Sequence, residues 1–361
     1  MTLGAAVRGQ WTLDPEAAFL NHGSFGAAPR PVLDEQARWR ARLEEQPVDL
    51  LVRRYPERVA AVRAEVSAFL GADPARLVLV PNATTGVATV LASVVRPGDR
   101  VVVTDHVYPA VAAALDQRGA EVVTVAFDLD APASVLLDAV DERARLVVVD
   151  AVTSGTGLRM PFEEVVAGCR ERGVPCLVDA AHAPGLLPVD LAALDPDWWT
   201  GNLHKWVCAP KTAAVLYARH PVRPLVASHG WGLGFQEESD WSGTFDPSAW
   251  LSVPAALAFM ASLGWDDVRA YGRSLARAGA AASGLPAPAP EERHEAMVLL
   301  DAGLASYAEA TALRDALWAA DRVEVGATAW RGRGWLRVSA APYNVIGDYE
   351  RLGAALARMR A

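Results

Sequence analysis

Residues 76–87 read RLVLVPNATTGV, a short β-branched and leucine run that stops at a proline and opens into an alanine- and valine-rich helical segment over 83–95. The same rhythm recurs downstream. DRVVVTD (99–105) precedes a helix-like 109–118, and AEVVTVAF (120–127) precedes a helix-like 134–143. ARLVVVDAV (144–152) leads to a helix-like 162–172, after which comes VPCLVDAA (174–181). Each run is apolar on both faces, as strands covered by helices on both sides must be. The chain is therefore expected to be α/β, with a mostly parallel, doubly wound sheet. KTAAVLYAR (211–219) reads as one further strand, returning from the segment before it.

The rhythm changes near residue 265. GLPAPAPEERH (284–294) is a loop with little propensity for either element. AMVLLD (296–301), a helix over about 306–320, GWLRVSA (334–340) and a closing helix from about 347 follow it. That order predicts a small α+β domain. The expected division is a large domain over 19–264 and a small one built from 1–18 and 265–361.

Composition bounds the function. With 361 residues, 52% hydrophobic and 21% charged, the chain can bury one large core or two linked ones. A net charge of −9 argues against nucleic acid or an anionic membrane surface as the main partner. The opening MTLGAAVRGQW lacks the apolar stretch of a signal peptide, and no apolar run is long enough to span a bilayer. Cys169, Cys176 and Cys208 are too few and scattered for a disulfide framework, and none has zinc-like spacing. The expectation is a soluble, reduced, cytoplasmic protein.

Ligands of such sheets bind beyond the carboxyl ends of the strands. After the first run comes NATTG (82–86), where amides and threonine hydroxyls at a helix N-terminus suit an anion. The same residues also suit an ordinary helix cap, with Asn82 or Thr84 accepting from the first amides. VPCLVD ends in Asp179, with His182 three residues on; a buried acid is costly unless it meets a cation or several donors. Lys205 stands in apolar surroundings in GNLHKWVCAP (201–210), either with its stem over the tryptophan and its ammonium in water, or desolvated. An anion cradle, a carboxylate and a lysine at three strand ends together suit pyridoxal 5′-phosphate. That cofactor needs a Schiff-base lysine, an acid that keeps its pyridine nitrogen protonated, and a phosphate site. Only a neutral amine attacks an aldehyde, which accounts for the apolar setting of Lys205.

Six stretches extend the reading: FLNHGSFGAAP (19–29), PNATTGV (81–87), LVDAAHAPG (177–185), TGNLHKWVCAPK (200–211), DWSGTFDPSAWL (240–251) and LRVSAAPYN (336–344). Together they resemble the class V aminotransferase superfamily and, within it, the isopenicillin N epimerase-like branch. The resemblance implies fold type I and a homodimer with active sites at the subunit interface. It assigns the Schiff base to Lys205, the pyridine nitrogen to Asp179, and the phenolic oxygen to His182. Phosphate falls to Ala83 and Thr84, helped by Asn202 and His204, with Thr244 reaching the neighbouring subunit's phosphate. In TDHVYPAV (104–111) the ring-stacking residue is read as His106, with Tyr108 as its rival. In AVTSGTG (151–157), Thr153 or Ser154 is read as touching the phenolic oxygen. Arg337 matches the arginine that grips the substrate carboxylate, and Asn21 and His22 match a segment lying over the site. Arg331 and Arg333 read as solvated loop residues.

The resemblance implies removal of the α proton of an amino acid. Reprotonation on the opposite face is epimerisation, the outcome expected from the branch. Loss of a β-leaving group is C–S lyase chemistry, and reprotonation on the cofactor is transamination. A non-catalytic, cofactor-binding regulator is the reading from another class, against which the retained lysine, aspartate and arginine argue. Cysteine desulfurase is disfavoured because VEVGATAWRGRGWLR (323–337) contains no cysteine and Cys208 reads as a buried apolar residue. The region between about 270 and 296 is short for the superfamily, which leaves the substrate's side chain open.

Overall fold

The computed structural model describes residues 3–360. Seven strands form the main sheet: β1 (Leu77–Val80), β2 (Arg100–Thr104), β3 (Glu121–Val125), β4 (Ala144–Asp150), β5 (Cys176–Asp179), β6 (Trp198–Asn202) and β7 (Ala214–Ala218). Their order across the sheet is β1-β7-β6-β5-β4-β2-β3. β7 runs antiparallel to both of its neighbours, and the other pairings are parallel. The expected sheet and the returning strand are both present.

The apolar runs fill both faces because alternate residues point opposite ways. Helices α1 (Arg30–Glu45) and α2 (Tyr55–Leu70) precede β1; α3 (Ala83–Val94), α4 (Pro109–Gln117) and α5 (Phe162–Glu171) cross between strands. On one face Val78, Val101, Val103, Leu146 and Val148 pack against Val87, Val90 and Leu91 of α3 and Leu115 of α4. On the other, Leu77, Leu79, Val102, Val147 and Val149 meet Val62, Val66 and Leu70 of α2 and Val165 of α5. Each such side chain, fully buried, contributes roughly 1.5–3 kcal/mol of transfer free energy.

Two segments differ from expectation. The helix read over 134–143 is only Ala133–Leu137. Asp141 ends that stretch by accepting from the Arg143 amide, 3.0 Å, in a side-chain turn that starts β4. β3 is not apolar on both faces: Glu121, Val122 and Thr124 are exposed because β3 is the sheet's edge.

A second, three-stranded antiparallel sheet holds β8 (Met297–Leu304), β9 (Gly326–Trp330) and β10 (Arg333–Ser339), in the order β9-β10-β8. Helices α6 (Trp265–Ala282), α7 (Tyr307–Asp321) and α8 (Ile346–Arg360) accompany it. Strand β9, GATAW, has no apolar run and is absent from the sequence reading. Ala18–Phe19 pair in parallel with Val323–Glu324, and Leu20 joins Leu275, Leu317, Leu336, Tyr349 and Leu352 in one core. The N-terminal segment is thereby tied to this second unit just before Asn21. No single helix among the described residues is long and apolar enough to cross a membrane.

Candidate active site

The carboxyl ends of β4, β5 and β6, with the start of α3, surround a cavity of about 290 Å³. Asp150, Ser154, Asp179, His182, Asn202, His204, Lys205, Ala83, Thr84 and Tyr108 all line it. Lys205 is 8% exposed, and its Nζ lies 2.9 Å from His182 Nε2. The indole N–H of Trp206 donates to His182 Nδ1 at 3.3 Å. An indole nitrogen can only donate, so Nδ1 is the ring's acceptor and Nε2 carries the proton of the neutral imidazole. The Lys205 nitrogen must then accept, which requires a neutral amine. Burial, and next the charge of Arg337, pull the Lys205 pKa from 10.5 to about 7. Burial, with Lys205 second, holds His182 well below the usual imidazole range, so it stays neutral.

The lysine's backbone is clamped from the N-terminal side. His22, fully buried, has Nε2 3.0 Å from the Lys205 carbonyl and Nδ1 2.9 Å from the Tyr343 hydroxyl. Gly26, at φ 66°, follows the short helix His22–Phe25; a Cβ there would come within 2.0 Å of the His204 carbonyl oxygen. Only glycine permits that approach. Cys208 is buried behind the lysine, and burial pushes its thiol up to about 12.

At the α3 end, Asn82 accepts from the Thr85 amide at 2.8 Å, and the Ala83 amide donates to Asn202 Oδ1 at 2.9 Å. The helix cap read for Asn82 is present, and it sets the first turn of α3 against the cavity. The Thr84 amide and hydroxyl, at the cavity wall, carry no hydrogen bond among the described residues. His204 Nδ1 is 3.2 Å from the Ala213 carbonyl, and burial lowers its pKa to about 4. Asp179 Oδ1 accepts from the Ala181 amide at 3.0 Å; burial raises its pKa, the amide opposing. Asp150 stands beside it, at the end of a strand paired with β5. ARLVVVD ends in this acid just as CLVD ends in Asp179, although Asp150 is not among the candidates named from the sequence.

A larger opening of about 830 Å³ leads from Lys205 towards β9 and α7 and is lined by Asn21, Ser24, Tyr108, Trp330 and Arg337. Arg337 is 6% exposed, and burial lowers its pKa to about 10. Its Nη1 donates to the Ser154 carbonyl, and its Nη2 to Ser24 Oγ (3.0 Å) and Asn21 Oδ1 (3.3 Å). Its Nε has no partner among the described residues. Ser24, not singled out in the sequence, shares the guanidinium with Asn21.

Several candidates lie elsewhere. His106 lines the larger opening, which Lys205 also borders, but not the 290 Å³ cavity: its Nε2 is 2.7 Å from the Phe127 carbonyl and its Nδ1 2.9 Å from Thr156 Oγ1. Its ring stacks on Trp330, centroids 4.8 Å apart, while Tyr108 faces the cavity. Thr153 is fully buried, bonded to Thr156 Oγ1 at 2.6 Å and accepting from the Leu158 amide; Ser154 reaches the cavity in its place. His22 holds the lysine's backbone and lines neither cavity. Thr244 is exposed on a loop and lines neither as well. Arg331 is not a free loop residue, since it pairs with Asp105 (2.7 Å) and Asp128 (2.5 Å), and Arg333 pairs with Asp301 (2.9 Å).

The sequence profile of the family described as aminotransferase class-V matches residues 29–282. Over 98% of its length the chain is 32% identical to isopenicillin N epimerase of Amycolatopsis lactamdurans, of which 98% is covered. It is also 32% identical to putative L-cysteine desulfhydrase 1 of Oryza sativa subsp. japonica, over 95% of this chain and 83% of that one. Among solved structures, the cysteine desulfurase CsdA of Escherichia coli superposes with a TM-score of 0.80 at 20% identity, covering 98% of this chain and 97% of that one. At that identity the likeness shows the fold alone, which is fold type I.

Proposed function

Since the chain belongs to the class-V aminotransferase family, whose cofactor is pyridoxal 5′-phosphate, we propose that it removes the α proton of an amino acid, with epimerisation at that carbon as the outcome. The observation that carries this reading is the Lys205 amine, buried, 2.9 Å from His182 and sharing one cavity with Asp179. The residues present fit the cofactor: a neutral amine, a buried carboxylate, and unpaired donors of Thr84 at the N-terminus of α3. Bound there, pyridoxal 5′-phosphate supplies an aldehyde for covalent attachment and a sink for negative charge at the substrate's α carbon.

In this reading Lys205 is the attachment point and, through its lone pair on Nζ, the base that accepts the α proton. His182 keeps that nitrogen neutral and aimed by donating from Nε2. Asp179 holds negative charge opposite the protonated ring nitrogen, an interaction that strengthens as charge develops. Thr84, with Ala83 held by Asn202 and with His204 nearby, binds the phosphate at a helix N-terminus. Tyr108, rather than His106, would stack on the ring, and Ser154, rather than Thr153, would meet the phenolic oxygen. Arg337, set by Asn21 and Ser24, binds the substrate carboxylate by a bidentate pair. We assign the cofactor to the unit over 19–264.

A second reading is C–S β-elimination. It is favoured by the cavity's single lysine among the described residues. Elimination needs one base, which afterwards returns its proton to the departing thiolate, whereas epimerisation needs a second proton source on the opposite face, a role that falls to the Tyr108 hydroxyl at the cavity wall. Desulfuration through a persulfide on an enzyme cysteine is disfavoured, because Cys208 is fully buried and 323–337 has no cysteine.

Borohydride reduction of the holoprotein followed by peptide mapping tests the attachment. Pyridoxyl label is expected on Lys205; label on exposed Lys211, or on neither, overturns the reading. We further propose that the enzyme is a homodimer in which exposed Thr244 reaches the partner's phosphate. Mixing Lys205→Ala and Thr244→Ala protein should then restore activity, through hybrid dimers with one intact site, and no restoration refutes it.

A further inference from the structure

Two carboxyl groups line the 290 Å³ cavity, and the function proposed above employs only Asp179. Asp150 and Asp179 are Cα partners at the carboxyl ends of the parallel strands β4 and β5. Parallel neighbours lie about 4.8 Å apart, and partnered residues face the same side of the sheet. Each residue is 5% exposed. Asp179 accepts an amide hydrogen bond from Ala181, whereas only its own backbone amide serves the Asp150 carboxyl. The other titratable groups facing the cavity are Tyr108, His182, His204 and Lys205, with Arg337 beyond it in the adjoining opening. Both histidines are neutral, and Lys205 is half neutral near pH 7.

Two carboxylates side by side in a dry site cannot both ionise cheaply, so the pair retains a proton. The Ala181 amide stabilises the Asp179 anion, second only to burial in its effect; at Asp150 the residue's own amide acts in the same sense but ranks behind both burial and the Asp179 charge. Burial, with the neighbouring Asp179 second, pushes the Asp150 carboxyl well above the usual range.

We propose that Asp150 is a positioning residue for Asp179: a neutral carboxyl whose O–H donates to the Asp179 carboxylate and keeps the negative charge on the residue facing the cofactor ring. The donated hydrogen bond lowers the basicity of Asp179, so the shared proton of the ring nitrogen stays on the ring. It also fixes the carboxylate plane, as outer-shell partners do for metal ligands. This rests on the reading that Asp179 faces the ring nitrogen.

The test is carboxyl-carbon NMR of holoenzyme labelled with 13C-carboxyl aspartate. The Asp150 resonance is assigned by its loss in Asp150→Asn, with Asp150→Ser as the second variant should the first fail to fold. The expected result is a protonated-carboxyl position at neutral pH. An ionised position overturns the proposal. The variants give an independent readout, because Asp150→Asn keeps a neutral donor and Asp150→Ala does not. Asn is expected to hold the pH profile of the cofactor's visible absorbance, with α-proton exchange within about threefold of the parent. Ala is expected to shift that profile and slow exchange by about 10- to 100-fold, without raising KM. Equal effects of Asn and Ala overturn the proposal. Undiminished exchange in Asp179→Asn would refute the underlying assignment of Asp179, while the Asp150 resonance would still report its own protonation.

Discussion

Lys205 is expected to be reactive at a pH where an ordinary lysine is not. Burial, with Arg337 second, places its pKa at about 7 rather than 10.5. At pH 7 about half of the Lys205 amines are then neutral, against about one in 3,000 for a solvated lysine. Recombination of apoprotein with pyridoxal 5′-phosphate, followed by visible absorbance and mapped to Lys205 after reduction, reads this fraction directly. The rate should rise with pH through a midpoint near 7 and flatten above about pH 8. Replacing Arg337 by Gln removes the second cause and should move the midpoint upward. The same shift makes a stability statement. The folded state holds fewer protons than the unfolded chain between about 7 and 10.5, so apoprotein stability rises with pH through that window. Lys205→Met abolishes the rise and stabilises the apoprotein at pH 7 and below, by up to the order of 5 kcal/mol. A recombination rate that climbs log-linearly to pH 10 would refute the reasoning, because Lys205 would then be a solvated amine.

Two further changes probe the groups around the lysine. Trp206→Phe removes the indole donor to His182, frees the imidazole to accept from a lysine ammonium, and should raise the recombination midpoint by about one pH unit; an unchanged midpoint would mean that the tautomer is set otherwise. His22→Ala leaves the Tyr343 hydroxyl and the Lys205 carbonyl unpaired in a fully buried space, so urea unfolding should show a loss of about 3–5 kcal/mol. A loss below about 1 kcal/mol would place His22 outside that role.

Much of the sheet was legible because its inner strands are buried on both faces, so a run such as LVVVD (146–150) stays apolar until the strand tip. The strand tips then stood out as polar interruptions, which made Asp179 and Lys205 visible. Asp150 ends its run in the same way, but only uncharged hydroxyls, Thr153 and Ser154, follow it, with no histidine to mark the strand tip. Strand β9 was illegible: GATAW pairs on only one side, with β10, and carries small residues that satisfy no periodicity. The roles within short motifs were harder still. His106 and Tyr108 are two residues apart, and which one faces the cavity depends on the Phe127 carbonyl and Trp330, contributed by distant segments. Likewise Thr153 is turned inward by Thr156 and Leu158, bonds that a linear motif does not display. Arg331 looked solvated because Asp105 and Asp128 lie more than 200 residues away.

The most direct test of the account is α-proton exchange in deuterated water. Holoenzyme is incubated with a panel of L-amino acids and cysteine S-conjugates, and the α-proton signal is followed by NMR. The account requires that at least one of them lose this signal in the presence of the parent enzyme. Scrambled configuration identifies epimerisation, and a thiol with a keto acid identifies C–S elimination. The exchange must disappear in folded Lys205→Ala protein. Exchange at the parent rate without the Lys205 amine, or bound amino acids that keep their α protons throughout, would contradict it.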